Sequence, residues 1–388
     1  MTLRILFLPL AVCLVAFGQP ADLVLRHGKV VTLEAGAPVV QALAARGERI
    51  VAVGSDAQMA KLIGPKTKVI DLGGKTAIPG FIEGHAHFTM TGQFRMSLNL
   101  REARSWDDIV AQVRRAAAQA KPGDWIVGRG WHQSKWSKAP EPNVDGFPIH
   151  TELSKAAPNN PVLLNHASGH ASFINEAAMK AARITRDTAS PSGGAILKDA
   201  QGNPTGLLQE RAQGLVTRAY AEWQARRSAA ERAADLRKSV DLAVDECLAK
   251  GVTSFQDAGS PFETVDLLKS MAERGDLKLR LWMMLRASNT DLGPKLDQYR
   301  MIGAGGNYLT VRAIKKQIDG ALGPRGAWLL APYADLPADA PNRSGMNTED
   351  PADIRRTAEL AIAHGYQLCV HAIGDRANRE ALDIVEDA

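Results

Sequence analysis

The apolar positions along this chain change rhythm twice. From Asp22 to Lys75, short β-prone runs at 23–25, 30–33, 50–53 and 69–71 are punctuated by Gly28, Gly47, Gly54 and Gly73-Gly74. Runs of this kind between glycines predict strands joined by tight turns, here a small antiparallel sheet over 22–78. Between 100 and 215 no period persists. Pro and Gly recur, and the stretch is too long for a simple loop, so an inserted subdomain is expected there. From Ser228 the period becomes regular. Leu236, Val240, Ala243, Val244, Cys247 and Leu248 share one face of a helix over 228–250, closed by Gly251. A strand at 252–255, a helix at 262–274 and strands at 278–285 and 309–318 follow. A helix at 351–364, opened by Pro351, leads to a strand at 366–370. Short apolar strands alternating with helices predict parallel βα units, placed at 79–99 and 216–388.

Composition narrows the class. The 388 residues are 45% hydrophobic and 23% charged, as in a globular enzyme large enough for more than one domain. The net charge of +5 is spread among both signs with no basic run, which gives no sign of a nucleic-acid partner. Arg4 precedes an apolar stretch from Ile5 to Phe17, and Ala16-Phe17-Gly18 offers a small-x-small cleavage site before Gln19. That stretch is shorter than the roughly 20 residues a spanning helix needs. Residues 1–18 therefore read as a signal peptide, with export to a periplasm or the medium and no stable membrane insertion after cleavage. Cleavage would remove Cys13, and Cys247 and Cys369 lack metal-type spacing, so both are expected to be buried thiols.

Candidate chemistry gathers at strand ends. His85 and His87 follow an apolar run, and residues i and i+2 of a strand point the same way, so both imidazoles can face one ion. Two histidines alone are weak; their apolar approach and the glycine beside them strengthen the pattern. Lys315 shares a strand face with Leu309, Val311 and Ala313, so its ammonium would project into an apolar interior. A lysine so placed tends to lose its proton, and the neutral amine can take up CO₂ as a carbamate. The same side chain could instead reach out to solvent, and the strand pattern leaves both open. Lys316 lies on the opposite face with Arg312 and is expected to be solvated or paired. His371 ends an apolar strand and suits a ligand or a satisfied core histidine. Asp375 and Arg376 could pair with each other, or one could orient a ligand.

Taken together, these segments resemble a known family. Pro79-Gly80-Phe81-Ile82-Glu83-Gly84-His85-Ala86-His87 resembles the opening metal motif of the amidohydrolase superfamily. The runs Ile314 to Gly323 and His371 to Ala377 look like its YtcJ-like branch, which includes N-substituted formamide deformylases. Gly251 to Gly259, and Gly130-Trp131 with Trp136, are similar to the same branch. The resemblance implies a small β-sandwich segment flanking a (β/α)8 barrel of the TIM type, with one or two divalent ions, usually zinc. It implies His85 and His87 on the first ion, Lys315 bridging as a carbamate, and His371 on the second. The implied reaction is hydrolysis of a carbon–nitrogen bond other than a peptide bond in a small amide or N-formyl substrate. A mononuclear aminohydrolase, which would not need Lys315, and an inactive metal-binding fragment stay open as alternatives.

The pattern departs from the family in three ways. Glu83 stands where Asp is common, and His132 where an acidic residue is frequent, which bears on what the pocket accepts. Trp131, His132, Trp136 and His170 are candidates to face substrate, although for histidines of the insert such as His166 and His170 surface placement is the more ordinary reading. About five barrel strands are expected before Ala388. The family's histidine on the sixth strand and aspartate on the eighth have no counterpart here, and Asp319 and Asp375 are the first candidates to replace that aspartate.

Overall fold

In the computed structural model of the chain, residues 19–191, 194–320, 322, 326–334 and 343–388 are described. The expected signal peptide, and Ala321 and Gly323 of the lysine-strand motif, lie outside the described residues. The chain divides into two compact units, the first ending at Phe81 and the second running Ile82–Ala388.

In the first unit, β1 (Leu23–Arg26), β2 (Lys29–Val31), β3 (Val39–Val40), β4 (Ala42–Arg46), β5 (Arg49–Gly54), α1 (Asp56–Ala60), β6 (Lys68–Asp71) and β7 (Thr76–Ala77) form two small sheets. Their orders are β5-β4-β1-β6 and β3-β2-β7. The expectation of an antiparallel sheet needs correction. β1 pairs antiparallel with β4 but parallel with β6, and β2 pairs parallel with β7. A tight hairpin can return a chain only antiparallel; the longer path from β5 through α1 brings β6 back beside β1 in the same direction. Val24, Ala42, Ala44 and Met59 form the core of this unit. β4 is built largely of alanine, a residue depleted in strands, and its place comes from burial of alternate residues rather than from propensity.

The boundary falls after the first residue of β8 (Phe81–Ala86), which is followed by α2 (Phe88–Met96). There follow β9 (Leu98–Asn99), α3 (Trp106–Ala117), β10 (Ile126–Trp131), β11 (Asn143–Val144), β12 (Phe147–Pro148), α4 (Thr151–Ala156), β13 (Val162–His166), β14 (Ala171–Ile174), α5 (Glu176–Ala181), β15 (Gly194–Lys198), β16 (Pro204–Glu210) and α6 (Gln213–Arg226). Six of these strands make one mixed sheet in the order β15-β16-β14-β13-β10-β9. Successive strand residues point to opposite faces, and the packing follows that rule. Val162 and Leu164 pack with Trp106, Ile109 and Phe173, whereas Leu163 packs on the other face with Ile174, Met179 and Val216.

The regular rhythm then appears as α7 (Ala229–Ala249), β17 (Val252–Ser260), α8 (Phe262–Glu273), β18 (Arg280–Leu285), α9 (Asn289–Leu292), α10 (Leu296–Tyr299), β19 (Met301–Gly303), α11 (Ala304–Asn307), β20 (Leu309–Gln317), α12 (Pro351–Ala363), β21 (Gln367–His371) and α13 (Asp375–Asp387). The sheet runs β8-β17-β18-β20, with β21 also on β20. β17, β18, β20 and β21 are parallel in sequence along it. α7 starts with a capping box in which Ser228 and Glu231 satisfy each other's backbone N–H groups. It lies so close to α2 that a Cβ on Gly92 would sit 1.7 Å from the Ser239 carbonyl oxygen. Val240, Ala243, Val244 and Cys247 face the core as expected, but Leu248 is 42% exposed. Cys247 and Cys369 are both free thiols, Cys247 buried and Cys369 half-buried. No helix among the described residues is long and apolar enough to cross a membrane.

Candidate active site

The parallel strands set the site. His85 is the penultimate residue of β8, and His87 is the residue before α2, with extended dihedrals of φ −112° and ψ 102°. Both are exposed. The first N–H of α2, that of Phe88, donates to Asp257 Oδ1 at 2.9 Å. Asp257 is 1% exposed, and its other oxygen accepts from the Ser260 hydroxyl at 2.9 Å and the Gly259 N–H at 3.2 Å. Burial pushes the Asp257 carboxyl above its ordinary range, while these three hydrogen bonds and nearby His87 pull it down. Asp257 therefore fastens the start of α2, and with it the chain at His87. Sequence alone gives it no role, although it stands in the run Gly251 to Gly259.

Lys315 is 5% exposed on β20. Loss of solvent lowers its pKa, Cys369 opposes that, and Arg286 adds to it. Cys369 is its register partner on β21. Gly259 lies against it: a Cβ there would stand 3.1 Å from Lys315 Cβ and Cγ and 3.3 Å from Arg286 Cβ. Lys316 is equally buried, so it is not solvated; its Nζ lies 3.4 Å from Glu349 Oε2 and donates to the Ala287 carbonyl at 3.2 Å. His371 is the last residue of β21, and its Nε2 is buried without a hydrogen-bond partner.

Three of these residues bear on His85. The pKa of His85 is held below its ordinary 6.5, first by desolvation of the ring and then by the charges of Lys315, His87 and His371, with Glu83 opposing. Neutral imidazole and neutral amine are the forms that offer a lone pair. Among the described residues no three His, Cys, Asp or Glu side chains stand close enough to hold an ion by themselves. The donor set fits a metal only with Lys315 included. The orphaned Nε2 of His371 supports that fit, because a buried ring nitrogen lacking a partner is costly unless something binds it.

The two candidate carboxylates both accept from backbone N–H groups. Asp319 is fully buried; Oδ1 accepts from the Ile373 N–H at 3.0 Å, and Oδ2 from the Gly374 and Trp328 N–H groups, both at 2.8 Å. With three backbone donors on it, this carboxylate clamps the loop after β21 to the end of β20, although His371 Nε2 is 3.9 Å from Oδ1. Asp375 is exposed and accepts from the Leu330 N–H at 2.9 Å. The Arg376 backbone N–H donates to Asp375 Oδ1 at 2.9 Å, while its guanidinium lies 4.5 Å over the Trp328 ring.

The residues expected to face substrate sit on the mixed sheet. Trp131 is 1% exposed, its indole N–H donates to the Leu164 carbonyl at 2.8 Å, and it stacks on Trp136 at 6.0 Å. Trp131 is thus part of the core of the mixed sheet. Trp136 is half-buried, with its own indole nitrogen buried and unpartnered. His132 lies 4.6 Å, ring to ring, from His166. His170 is exposed and lines a cavity of about 480 Å³ together with His166, Gln133 and Gln209. None of His85, His87, Lys315 or His371 lines that cavity.

The sequence pattern of the Amidohydrolase family matches residues 68–388. The chain belongs to the amidohydrolase family. Among its relatives, the putative amidohydrolase YtcJ of Bacillus subtilis is 30% identical over 330 residues, covering 83% of this chain and 58% of that protein. N-substituted formamide deformylase of Arthrobacter pascens is 29% identical over 380 residues, covering 95% and 66%. The chain spans about three-fifths of the length of the curated relatives it matches. In fold, this amidohydrolase is similar to an uncharacterized metal-dependent hydrolase of Pyrococcus horikoshii, with a TM-score of 0.69, 23% identity, and 94% of this chain and 68% of that one covered. Its lineage is that of hydrolases.

Proposed function

We propose that this chain carries the metal-binding half of a hydrolase site for carbon–nitrogen bonds other than peptide bonds, in amide or N-formyl substrates. The observation that carries the reading is the placement of His85 and His87 at the end of β8, buried Lys315 on β20 and, at the end of β21, His371 with its buried Nε2 lacking a hydrogen-bond partner. The relative that acts on N-substituted formamides supports the substrate class. The sheet order and its parallel strands support a (β/α)8 barrel, with 100–215 as an insert.

One or two divalent ions, zinc first among them, would be held by His85, His87, Lys315 and His371. When bound, such an ion polarises a carbonyl and makes water a nucleophile near neutral pH. The chain supplies the rest. Desolvation lowers the pKa of His85, and Asp257 fixes the backbone that presents His87. Burial lowers the pKa of the Lys315 amine. That amine can form a bond from Nζ to the carbon of CO₂ as one C=O π bond opens, releasing one proton and gaining two donor oxygens that share a single negative charge.

Bound zinc, measured by atomic emission after dialysis, tests the reading. His85→Ala, Lys315→Ala and His371→Ala should each lose metal, and Lys316→Met should retain it. Wild-type metal content in both Lys315→Ala and His371→Ala would overturn it. Loss in His85→Ala alone would favour a mononuclear aminohydrolase.

A further inference from the structure

A second cavity, of about 960 Å³, lies between the mixed sheet and the helices α2, α6 and α7. None of His85, His87, Lys315 or His371 lines it. Its volume falls at the upper end of the roughly 300–1,000 Å³ of small-molecule sites. Its walls are unusually aromatic for a chain with 5% aromatic residues. Trp125 meets Tyr220 edge-on at 5.4 Å, Tyr220 stacks on Trp223 at 5.7 Å, and Phe94, 46% exposed, closes the opposite side.

The charges of this cavity are unequally satisfied. Arg227 pairs with Asp235 and lies 5.1 Å over Trp223. Arg232 donates to the Arg227 carbonyl. Arg129 is different. It projects from β10 with its guanidinium 3.8 Å over the Phe94 ring, and no hydrogen bond or ion pair holds it among the described residues. Three arginines face two aspartates, Asp124 and Asp235, so the lining is cationic. A guanidinium has five donors in a planar fork that matches a carboxylate, and here all five stay available beside aromatic faces.

We propose that this cavity binds an aromatic carboxylate, its ring against Trp125, Tyr220 and Trp223 and its carboxylate on Arg129. The aromatic walls supply stacking area, and Arg129 supplies a charge-assisted pair that a neutral ligand cannot use. The site is separate from the strand-end histidines and independent of the reaction proposed for them.

Two tryptophans in the wall make binding visible. The chain is titrated with 2-naphthoate and, separately, with 2-naphthamide, following tryptophan fluorescence. Saturable quenching by the carboxylate is expected. Arg129→Gln should weaken naphthoate by about tenfold or more, the loss of one charge-assisted pair, and leave the amide within about twofold. Arg129→Lys keeps the charge without the fork and should fall between; it also serves if Arg129→Gln loses its circular dichroism. Trp223→Leu should weaken both ligands. No saturable quenching, equal loss of acid and amide in the Arg129 variants, or naphthoate binding that requires added zinc would each overturn the proposal.

Discussion

Gly259→Ala probes how tightly the lysine of the site is held. Gly259 lies near the end of β17 with φ +118°, a conformation that side chains rarely adopt. Its neighbours are fixed on both sides. The Gly259 N–H donates to Asp257, and the Arg286 N–H donates to the Ser260 carbonyl at 2.9 Å. A new methyl would meet Lys315 Cβ and Cγ at 3.1 Å and Arg286 Cβ at 3.3 Å. These are stem atoms close to the backbone of β20 and β18, not flexible ends, so relief requires the strands to part. Forcing the backbone costs about 1–3 kcal/mol, and overpacking costs about as much again. The sum is about 2–6 kcal/mol, against a total stability of about 5–15 kcal/mol for a folded protein. The variant should fold but unfold earlier in urea; at an m value of about 3 kcal/mol/M, a loss of about 4 kcal/mol moves the midpoint by about 1.3 M. Gly214→Ala is the control, since Gly214 lies in α6 with nothing near its Cβ position, and it should stabilise by up to about 1 kcal/mol. A loss below about 1 kcal/mol in Gly259→Ala would refute the steric reasoning, because it would mean that β20 can move away from β17 almost freely.

Phe88 is fully buried and meets Phe255 edge-on at 5.3 Å, so Phe88→Ala should cost about 3–5 kcal/mol in equilibrium unfolding; a loss under about 1 kcal/mol would contradict that packing. Lys316→Ala should destabilise by stranding Glu349, and Glu349→Gln should reduce that loss, with a coupling of about 0.5–3 kcal/mol in a double-mutant cycle; strict additivity would dissolve the pair. Burial holds the pKa of His150 below 6.5, with Glu176 opposing, and its Nδ1 lies 2.9 Å from the Ser154 hydroxyl oxygen. Its contribution to stability is therefore present above pH 6.5 and lost as pH falls toward the lower folded value, because the unfolded chain takes up the proton first. His150→Gln should flatten the dependence of melting temperature on pH in that window, and an unchanged slope would exclude His150 as its source.

The sequence by itself determined what is local or periodic. Helical spacing from Val240 to Cys247 marked the buried face of α7, and the apolar runs before His85 and His371 marked the strands that carry them. The family was legible from motifs spread along the chain, because each of those motifs is a strand end with its turn. The alternation that hid Lys315 among Leu309, Val311 and Ala313 was also visible, since strand residues two apart share a face. What the tertiary structure decided is where distant segments meet. Trp131 looked like a pocket wall and lies in the core, because β13 runs beside β10 and offers the Leu164 carbonyl to its indole. Asp319 stood out only as a candidate for the family's aspartate, and that it clamps a loop was invisible, because the loop after β21 aims two N–H groups at it. Asp257 passed without a role, though it fastens Phe88 from 169 residues away. The parallel partners of β1 and β2 escaped for the same reason: strand periodicity says which face is buried but not which strand lies alongside. Side-chain spacing is written in the chain, whereas pairing and hydrogen-bond partners depend on how the chain returns upon itself.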